Sequence, residues 1–228
     1  MTTLPPELAT TEDGSLTLFA PTFGEHYHST HGARQESEHI FLSLGLLHRL
    51  EESSMSDRPL RLFEVGLGTG LNALLTKVAV EQAKCPLYYY SIERYPLEEE
   101  LASQLAYSDL PTADLRAIHE APWGEDISLS PYFTLHKIQG DLTTSSFPTG
   151  LDLIYFDAFS PESQPELWEE GIFRRLFEAS SPGAVLTTYC AKGEVRRRLQ
   201  RAGFLVERLP GPPGKREVLR ATRPLNHR

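Results

Sequence analysis

Residues Leu62 to Asn72 read LFEVGLGTGLN. The apolar run Leu60 to Val65 has the length of a short buried strand. It leads into Gly66-Leu67-Gly68-Thr69-Gly70, and behind the glycines Leu71, Ala73, Leu74, Leu75 and Val78 recur at helical spacing. Strand, glycine turn and helix open a βαβ unit. Glycines let the backbone bend sharply and let a ligand come close, because no Cβ stands in the way. The helix start offers unpaired N–H groups. A bound nucleotide is expected at this turn.

The glycine spacing narrows the choice. The dinucleotide fingerprint is G-x-G-x-x-G, and this turn is G-x-G-x-G. With the acid Glu64 just before it, the pattern is that of S-adenosylmethionine (SAM) methyltransferases. A second strand, Leu87 to Ile92, ends in Glu93, 23 residues past Gly70. An acid there can accept hydrogen bonds from both ribose hydroxyls. Phe133 to Ile138 alternates as a strand and ends in Gly140-Asp141, where an acid can accept from the exocyclic amine of adenine. A further buried strand, Leu151 to Phe156, delivers Asp157 to the carboxyl edge of the sheet, where ligands of open α/β sheets sit.

Composition sets the outer bounds. The 228 residues are enough for one large domain with a substantial core. No apolar stretch has membrane-spanning length, and MTTLPPELATTEDG has neither a basic n-region nor an apolar h-region. A cytoplasmic protein without membrane contact is expected. Cys85 and Cys190 make neither a disulfide scaffold nor a metal motif. The net charge of −9 argues against a general nucleic-acid binder. The charge is uneven, however. Lys192 to Arg228 holds 11 Lys+Arg against 3 Asp+Glu, a net of +8, and the remainder holds 11 against 28, a net of −17. Such asymmetry marks either a local site for an anionic partner or a solvated basic helix and tail.

Around the core unit, Leu16 to Phe19 alternates as one strand of a hairpin. EHYHSTHGA, Glu25 to Ala33, holds His26, His28 and His31. Their spacing is not a usual zinc set, and a loop lining a polar pocket is expected in place of a metal site. A helix is predicted over 35–50, with Ile40, Leu44 and Leu47 on one face and Phe41 beside them. A charged, serine-rich linker follows over 49–58. Pro96 should start a helix with Glu98 to Glu100 in its first turn. Residues 107–132 read as an insertion or a short helical cap. Pro165 starts a further helix, Gly183 to Tyr189 reads as a strand, and Glu194 to Ala202 as a helix with Arg196, Arg197, Arg198 and Arg201 on one face. Strands at 203–209 and 217–222 flank the rigid turn GPPGKR and close the sheet as an antiparallel hairpin. Two parts are expected: an N-terminal extension over 1–58 (hairpin, pocket-lining loop and helix) and a catalytic domain over 59–228.

Taken together, EHYHSTHGARQESEHIFLSLGL (25–46), GLGTGLN (66–72), Gly140-Asp141, FDAFSP with PELW (156–168) and GPPGKREVL (211–219) resemble the bacterial tRNA 5-methylaminomethyl-2-thiouridine methyltransferases. The resemblance covers about residues 15 to 223. In some bacteria that activity is fused to a flavin-dependent oxidase, and this chain resembles the stand-alone form. The resemblance implies an α/β fold, a Rossmann-like class I SAM-dependent methyltransferase sheet with a C-terminal antiparallel hairpin. It implies methyl transfer from SAM to the amine of 5-aminomethyl-2-thiouridine at the tRNA wobble position, leaving S-adenosylhomocysteine, with no metal and no flavin. Gly66, Gly68 and Gly70 would surround the methionine moiety, Glu93 would hold the ribose and Asp141 the adenine. Asp157 would sit by the transferring methyl and the amine. Glu36, Glu64 and Asn72 join the cofactor side. Tyr27, His28, Phe159, Pro161, Lys192, Arg196, Lys215 and Arg216 face the substrate and tRNA, which would dock on the C-terminal basic surface. A separate oxidase is the implied pathway partner.

Elementary chemistry supports the same roles. The cofactor is already activated, so the protein mainly has to align donor and acceptor. The acceptor amine must be neutral to attack. A carboxylate with an ordinary pKa of about 4 is a poor base for an ammonium. Asp157 is therefore expected to orient the amine and stabilise the growing ammonium more than to remove its proton. Phe159, Tyr189 and Trp168 stand where they either stack on a base or form core. Three other readings compete: a polyamine aminopropyltransferase using decarboxylated SAM, an NAD-dependent oxidoreductase, and a non-catalytic nucleotide-binding module.

Overall fold

The strand that opens the glycine motif lies inside the sheet, hydrogen-bonded on both sides. In the computed structural model, which describes residues 4–52 and 58–225, β4 (Leu60–Val65) pairs in parallel with β5 (Leu87–Glu93) and with β8 (Leu151–Phe156). Beyond β5 come β7 (Phe133–Gln139, parallel) and the edge strand β6 (Asp126–Ser130, antiparallel). Beyond β8 come β9 (Ser180–Thr188, parallel), β11 (Glu217–Thr222) and β10 (Leu205–Pro210), the last two antiparallel to their neighbours. The order is therefore β10-β11-β9-β8-β4-β5-β7-β6. The chain builds outward from β4 first in one direction and then in the other. The crevice between β4 and β8 is the switch point at which such sheets bind ligands. The closing hairpin and the Rossmann-like parallel centre match the sequence expectation.

The strands alternate between two cores. Leu62, Tyr89, Leu135, Tyr155 and Val185 face one, with α3 (Leu71–Ala83) and α5 (Thr112–Glu120). Phe63, Ile154, Phe156 and Leu186 face the other, with Phe173 and Leu176 of α6 (Glu170–Ala179) and Val195 and Leu199 of α7 (Gly193–Ala202). Residues 107–132 resolve into α5 and β6. The helix expected from Pro96 shrinks to the single turn α4 (Glu99–Ala102). Pro165–Trp168 forms a 3-10 turn before α6.

Ahead of the sheet, β1 (Glu7–Thr10), β2 (Leu16–Ala20) and β3 (Glu25–His26) form a small antiparallel sheet. The helix expected over 35–50 is present but wound differently. Short α1 (Ala33–Ser37) and α2 (His48–Glu52) flank a π-helix, Glu38–Leu47. The buried residues are Ile40, Phe41, Gly45 and Leu46, two pairs spaced by five. That is the repeat of i→i+5 winding. Leu47, expected on the buried face, is 40% exposed. Gly45 allows the close approach: a Cβ there would come within 3.1 Å of the Tyr155 ring. The linker expected over 49–58 lies partly outside the described residues.

Asp152, at the start of β8, ties the front of β4 in place. Its carboxylate accepts two bonds from Arg58 (2.7 and 2.8 Å) and one from the Arg61 N–H (3.0 Å), and Arg49 lies 3.6 Å away. The Asp152 side chain is 3% exposed. Replacing it removes these bonds; because Arg58 is 47% exposed and can be rehydrated, the loss is about 1–3 kcal/mol. Asp152→Ala should lower the urea midpoint by that equivalent. An unchanged midpoint would remove this cluster from the stability of the fold.

Candidate active site

The three glycines of the turn all adopt positive φ: Gly66 +89°, Gly68 +50° and Gly70 +74°. The first two are also sterically closed to side chains. A Cβ on Gly66 would stand 3.0 Å from the Asp157 carbonyl, and one on Gly68 would stand 3.0 Å from the Tyr27 ring. The turn is pinned from both sides. The Gly68 N–H donates to Glu93 Oε2 at 3.2 Å, and His119 Nε2 lies 3.0 Å from the Thr69 carbonyl oxygen.

Above the turn, a cavity of about 300 Å³ opens at the carboxyl ends of β4, β5, β7 and β8. Glu93, Asp141 and Asp157 line it, with Gly66, Gly68 and Asn72 from the motif. Tyr27, His28 and Glu36 enter from the N-terminal segment, Phe159 from the loop after β8 and Lys215 from the turn before β11. The sequence reading had named all of these. Glu25, at the start of the loop expected to line a pocket, also lines it, as do Arg94, Tyr95 and Ser160, which the sequence reading had not singled out. Arg94 and Tyr95 follow Glu93 directly, and Ser160 lies within FDAFSP, so adjacency to motif residues was the available signal.

Asp157 is the most perturbed of the lining carboxyls. Burial pushes it up to about 8; the charge of Glu36 acts the same way, and Asn72 and Lys215 oppose it. Asn72 Nδ2 donates to Asp157 Oδ2 at 2.8 Å. The expectation of an ordinary carboxylate near 4 thus fails, because desolvation outweighs the donors the site supplies. Glu36 is 6% exposed and accepts from the Ser29 N–H at 2.7 Å. Lys215 Nζ stands 3.1 Å from its other oxygen and 4.9 Å from the centre of the Tyr189 ring. Lys215 is therefore part of the cavity wall.

The other acids are held differently. Burial raises Glu93, which accepts from the Gly68 and Tyr95 N–H groups. Burial opposes ionisation of Asp141 too, but two bonds from Thr143 (2.8 and 2.7 Å) and Arg94 at 2.8 Å hold it below the usual range. His28 packs against Thr17 Oγ1 at 3.0 Å, and burial drops its pKa to about 4, so the imidazole is neutral. Among the described residues no group of three or more His, Cys, Asp or Glu is placed to hold a metal ion.

A clasp joins the N-terminal segment to the loop after β8. Glu25 accepts from the Ser160 N–H at 3.0 Å, from Ser163 Oγ at 2.6 Å and from Ser160 Oγ. Phe159 stacks on Phe23 at 4.6 Å and meets the Tyr27 ring edge-on at 5.1 Å. Trp168 is fully buried and donates to the Phe159 carbonyl at 2.7 Å, so it supports this loop from the core. Tyr189 likewise donates to the Ala158 carbonyl at 2.9 Å.

Several expected site residues stand apart. Glu64 is 0% exposed, and neither it, Gly70 nor Pro161 lines the cavity. The basic face of α7 is matched by acids: Arg197 pairs with Glu194, Arg198 with Glu194 and Glu169, and Arg201 with Glu170 and Glu194. Lys192 pairs with Glu162. Lys192, Arg196 and Arg216 lie outside the cavity. Local charge matching, invisible in a tally along the chain, lowers the net field of this segment.

The family model for S-adenosyl-L-methionine-dependent methyltransferases matches residues 102–224, more than half of the chain. The chain belongs to this methyltransferase family. Among curated proteins, the methyltransferase is 34% identical over 218 residues to the tRNA 5-methylaminomethyl-2-thiouridine biosynthesis bifunctional protein MnmC of Nitrosospira multiformis, covering 91% of this chain and 35% of that protein. It is 31% identical to the protein of the same name from Stutzerimonas stutzeri, covering 87% and 32%. The chain thus spans about a third of the length of these relatives. Among solved structures, MNMC2 from Aquifex aeolicus superposes with a TM-score of 0.79 at 26% identity, over 98% of this chain and 72% of that one. Spermidine synthase from Thermotoga maritima shares the fold, with a TM-score of 0.57 at 11% identity over 99% and 75%.

The raised pKa of Asp157 has a signed consequence for stability. The folded state binds this proton more tightly than the unfolded state, so this group's contribution to stability is fully present below the unfolded pKa of about 4 and is lost as pH rises towards 8. Asp157→Asn removes that decline. Its melting temperature should exceed the wild type by about 2–8 °C at pH 8, with the gap closing below pH 4. A gap that does not vary with pH in calorimetric scans would show that Asp157 is not desolvated as described.

Proposed function

We propose that this methyltransferase converts 5-aminomethyl-2-thiouridine to 5-methylaminomethyl-2-thiouridine at the wobble position of tRNA. The observation that carries the proposal is Asp157, a desolvated carboxyl beside the glycine turn, flanked by Glu36 and steadied by Asn72. An acid so placed suits a substrate amine, and the names of the relatives point to that nucleoside.

The residues fit the cofactor. The glycine turn is a cradle that a Cβ at Gly66 or Gly68 would fill, and Glu93 stands at the end of β5, where a ribose is held in such sheets. The turn at Gly66 to Gly70 would hold the methionine part of SAM, Glu93 the ribose and Asp141 the adenine side. When bound, SAM would supply an activated sulfonium methyl for the amine nitrogen, the electron pair of its carbon–sulfur bond staying on sulfur.

The chain handles the proton. An alkyl amine with a pKa near that of lysine, about 10, is mostly an ammonium at neutral pH. Glu36 attracts that cation, the arriving cation in turn favours the ionised form of Asp157, and Lys215 limits the negative charge. A carboxyl near 8 is far closer to the ammonium than one near 4, so Asp157 takes the proton more readily than an ordinary carboxylate. Asn72 keeps Oδ2 occupied and leaves Oδ1 for the amine. After transfer the new secondary ammonium has a proton to lose, and Asp157 is again its neighbour. Tyr27 and Phe159 form an aromatic wall suited to a flat base. With Arg197, Arg198 and Arg201 of α7 and Lys192 all paired with acids, Arg196 and Arg216 remain the proposed phosphate contacts, and tRNA binding should weaken with salt.

Two measurements test this reading. Labelled SAM and tRNA from cells lacking the modification should give label in the methylaminomethyl nucleoside after digestion. Turnover of a polyamine with decarboxylated SAM, and none of tRNA, would favour the aminopropyltransferase reading. Asp157→Ala should lower kcat by about 100-fold or more while SAM still binds measurably in calorimetry; a full rate would remove Asp157 from the chemistry. Separately, Arg216→Glu should raise KM for tRNA by about 3–10-fold with kcat held. An unchanged KM, together with no response to salt, would place the RNA elsewhere.

A further inference from the structure

Helix α5 lies in the segment that the sequence reads as an insertion or cap, yet it packs directly on the glycine turn. A Cβ on Gly70 would stand 3.1 Å from His119 Nε2 and 3.2 Å from Leu115 Cδ1, both on α5. His119 Nε2 itself is 3.0 Å from the Thr69 carbonyl oxygen. A carbonyl oxygen only accepts, so Nε2 carries the proton and donates. Burial lowers the His119 pKa and the charge of Lys137 adds to that, against the bond to Thr69, so the donor is a neutral imidazole.

The ring is carried by a helix fixed at both ends. Near its start, Asp114 pairs with Lys77 of α3 at 2.9 Å. At its end, Lys137 Nζ from β7 donates to the backbone carbonyl of His119 at 2.6 Å. A cation suits the last carbonyls of a helix, which lack partners within it. Lys137 is itself 1% exposed, with its ammonium 4.6 Å from the centre of the Trp123 ring.

The Thr69–Gly70 peptide is engaged on both sides. His119 takes its oxygen, and its N–H donates to the Leu67 carbonyl at 2.8 Å. Thr69 lines the cavity and His119 does not, so the bond turns the oxygen into the wall. Helix α3 starts immediately afterwards without a side-chain cap. Its first N–H groups and the positive end of its dipole are therefore available to an anion. A flipped Thr69–Gly70 peptide would set a partly negative oxygen beside them.

On the methyl-transfer reading above, in which this turn holds the methionine part of SAM, we propose that His119 is a positioning residue for the cofactor: its Nε2–H keeps the Thr69 oxygen out of the cavity and leaves the start of α3 open to the methionine carboxylate. His119 touches neither cofactor nor substrate. Its loss should weaken cofactor binding and leave the chemical step alone.

The test compares His119→Ala, His119→Asn and His119→Gln in the full chain. The glutamine amide nitrogen is as many bonds from the backbone as Nε2, and the asparagine nitrogen is one bond short. Calorimetric titration with S-adenosylhomocysteine should show about 10-fold weaker binding for the Ala and Asn variants and recovery to within about 3-fold of wild type for Gln. With SAM and tRNA, KM for SAM should follow the same order, while kcat at saturating SAM and KM for tRNA stay within about 3-fold. Asn and Gln both lose the packing of the ring, so a difference between them reports the bond to Thr69. Wild-type affinity in the Ala variant would overturn the proposal, and so would a Gln variant that binds no better than Asn. A fall in kcat without a change in affinity would overturn it too. If the wild type binds S-adenosylhomocysteine but does not methylate tRNA, the methyl-transfer reading fails alone, and the binding series still decides the role of His119.

Discussion

The ion pair between Glu36 and Lys215, 3.1 Å apart, brings the two ends of the chain together at the carboxyl edge of the sheet. Glu36 arrives on the first helix after the small N-terminal sheet, and Lys215 on the turn into the last strand. Each adjusts Asp157, in opposite senses. Partly buried pairs of this kind add little net stability, because desolvation offsets attraction. What this one supplies is a set charge: the cavity holds several acids, and the lysine keeps them from repelling one another out of the site.

The N-terminal segment is therefore more than an appendage to the methyltransferase sheet. Glu25, Tyr27, His28 and Glu36 line the cavity together with residues of the glycine turn and the strand ends. A boundary at 58/59 follows the chain, but the cavity draws on both sides of it. The clasp of Glu25 on Ser160 and Ser163 and the stacking of Phe23 on Phe159 hold the loop that carries the proposed chemistry.

Much of this was legible in the residues. The run from Leu60 to Leu75 announced strand, turn and helix, and the strand-end acids Glu93, Asp141 and Asp157 were each found at the cavity. Local pattern sufficed there, because the strand period and glycine chemistry act over a few residues. What escaped were properties set by distant neighbours. The pKa of Asp157 depends on residues 121 positions upstream and 58 downstream. The α7 arginines read as a basic face, and only the fold shows Glu169 and Glu170 facing them. The helix at 33–52 was found, but its winding was not: an apolar set at 40, 44 and 47 fits an α-helix, whereas contact with Tyr155 and Thr187 selects 40, 41, 45 and 46.

The clasp also sets a timetable. Glu25 and Ser160 are 135 residues apart in the chain, and ribosomes add about 5–20 residues per second. Roughly 7–27 s therefore pass between the synthesis of the acid and that of the hydroxyl it will hold. During that interval Phe23 and Tyr27 have no Phe159 to cover them, and Lys215 comes later still. The cavity is thus among the last parts of a newborn chain to close.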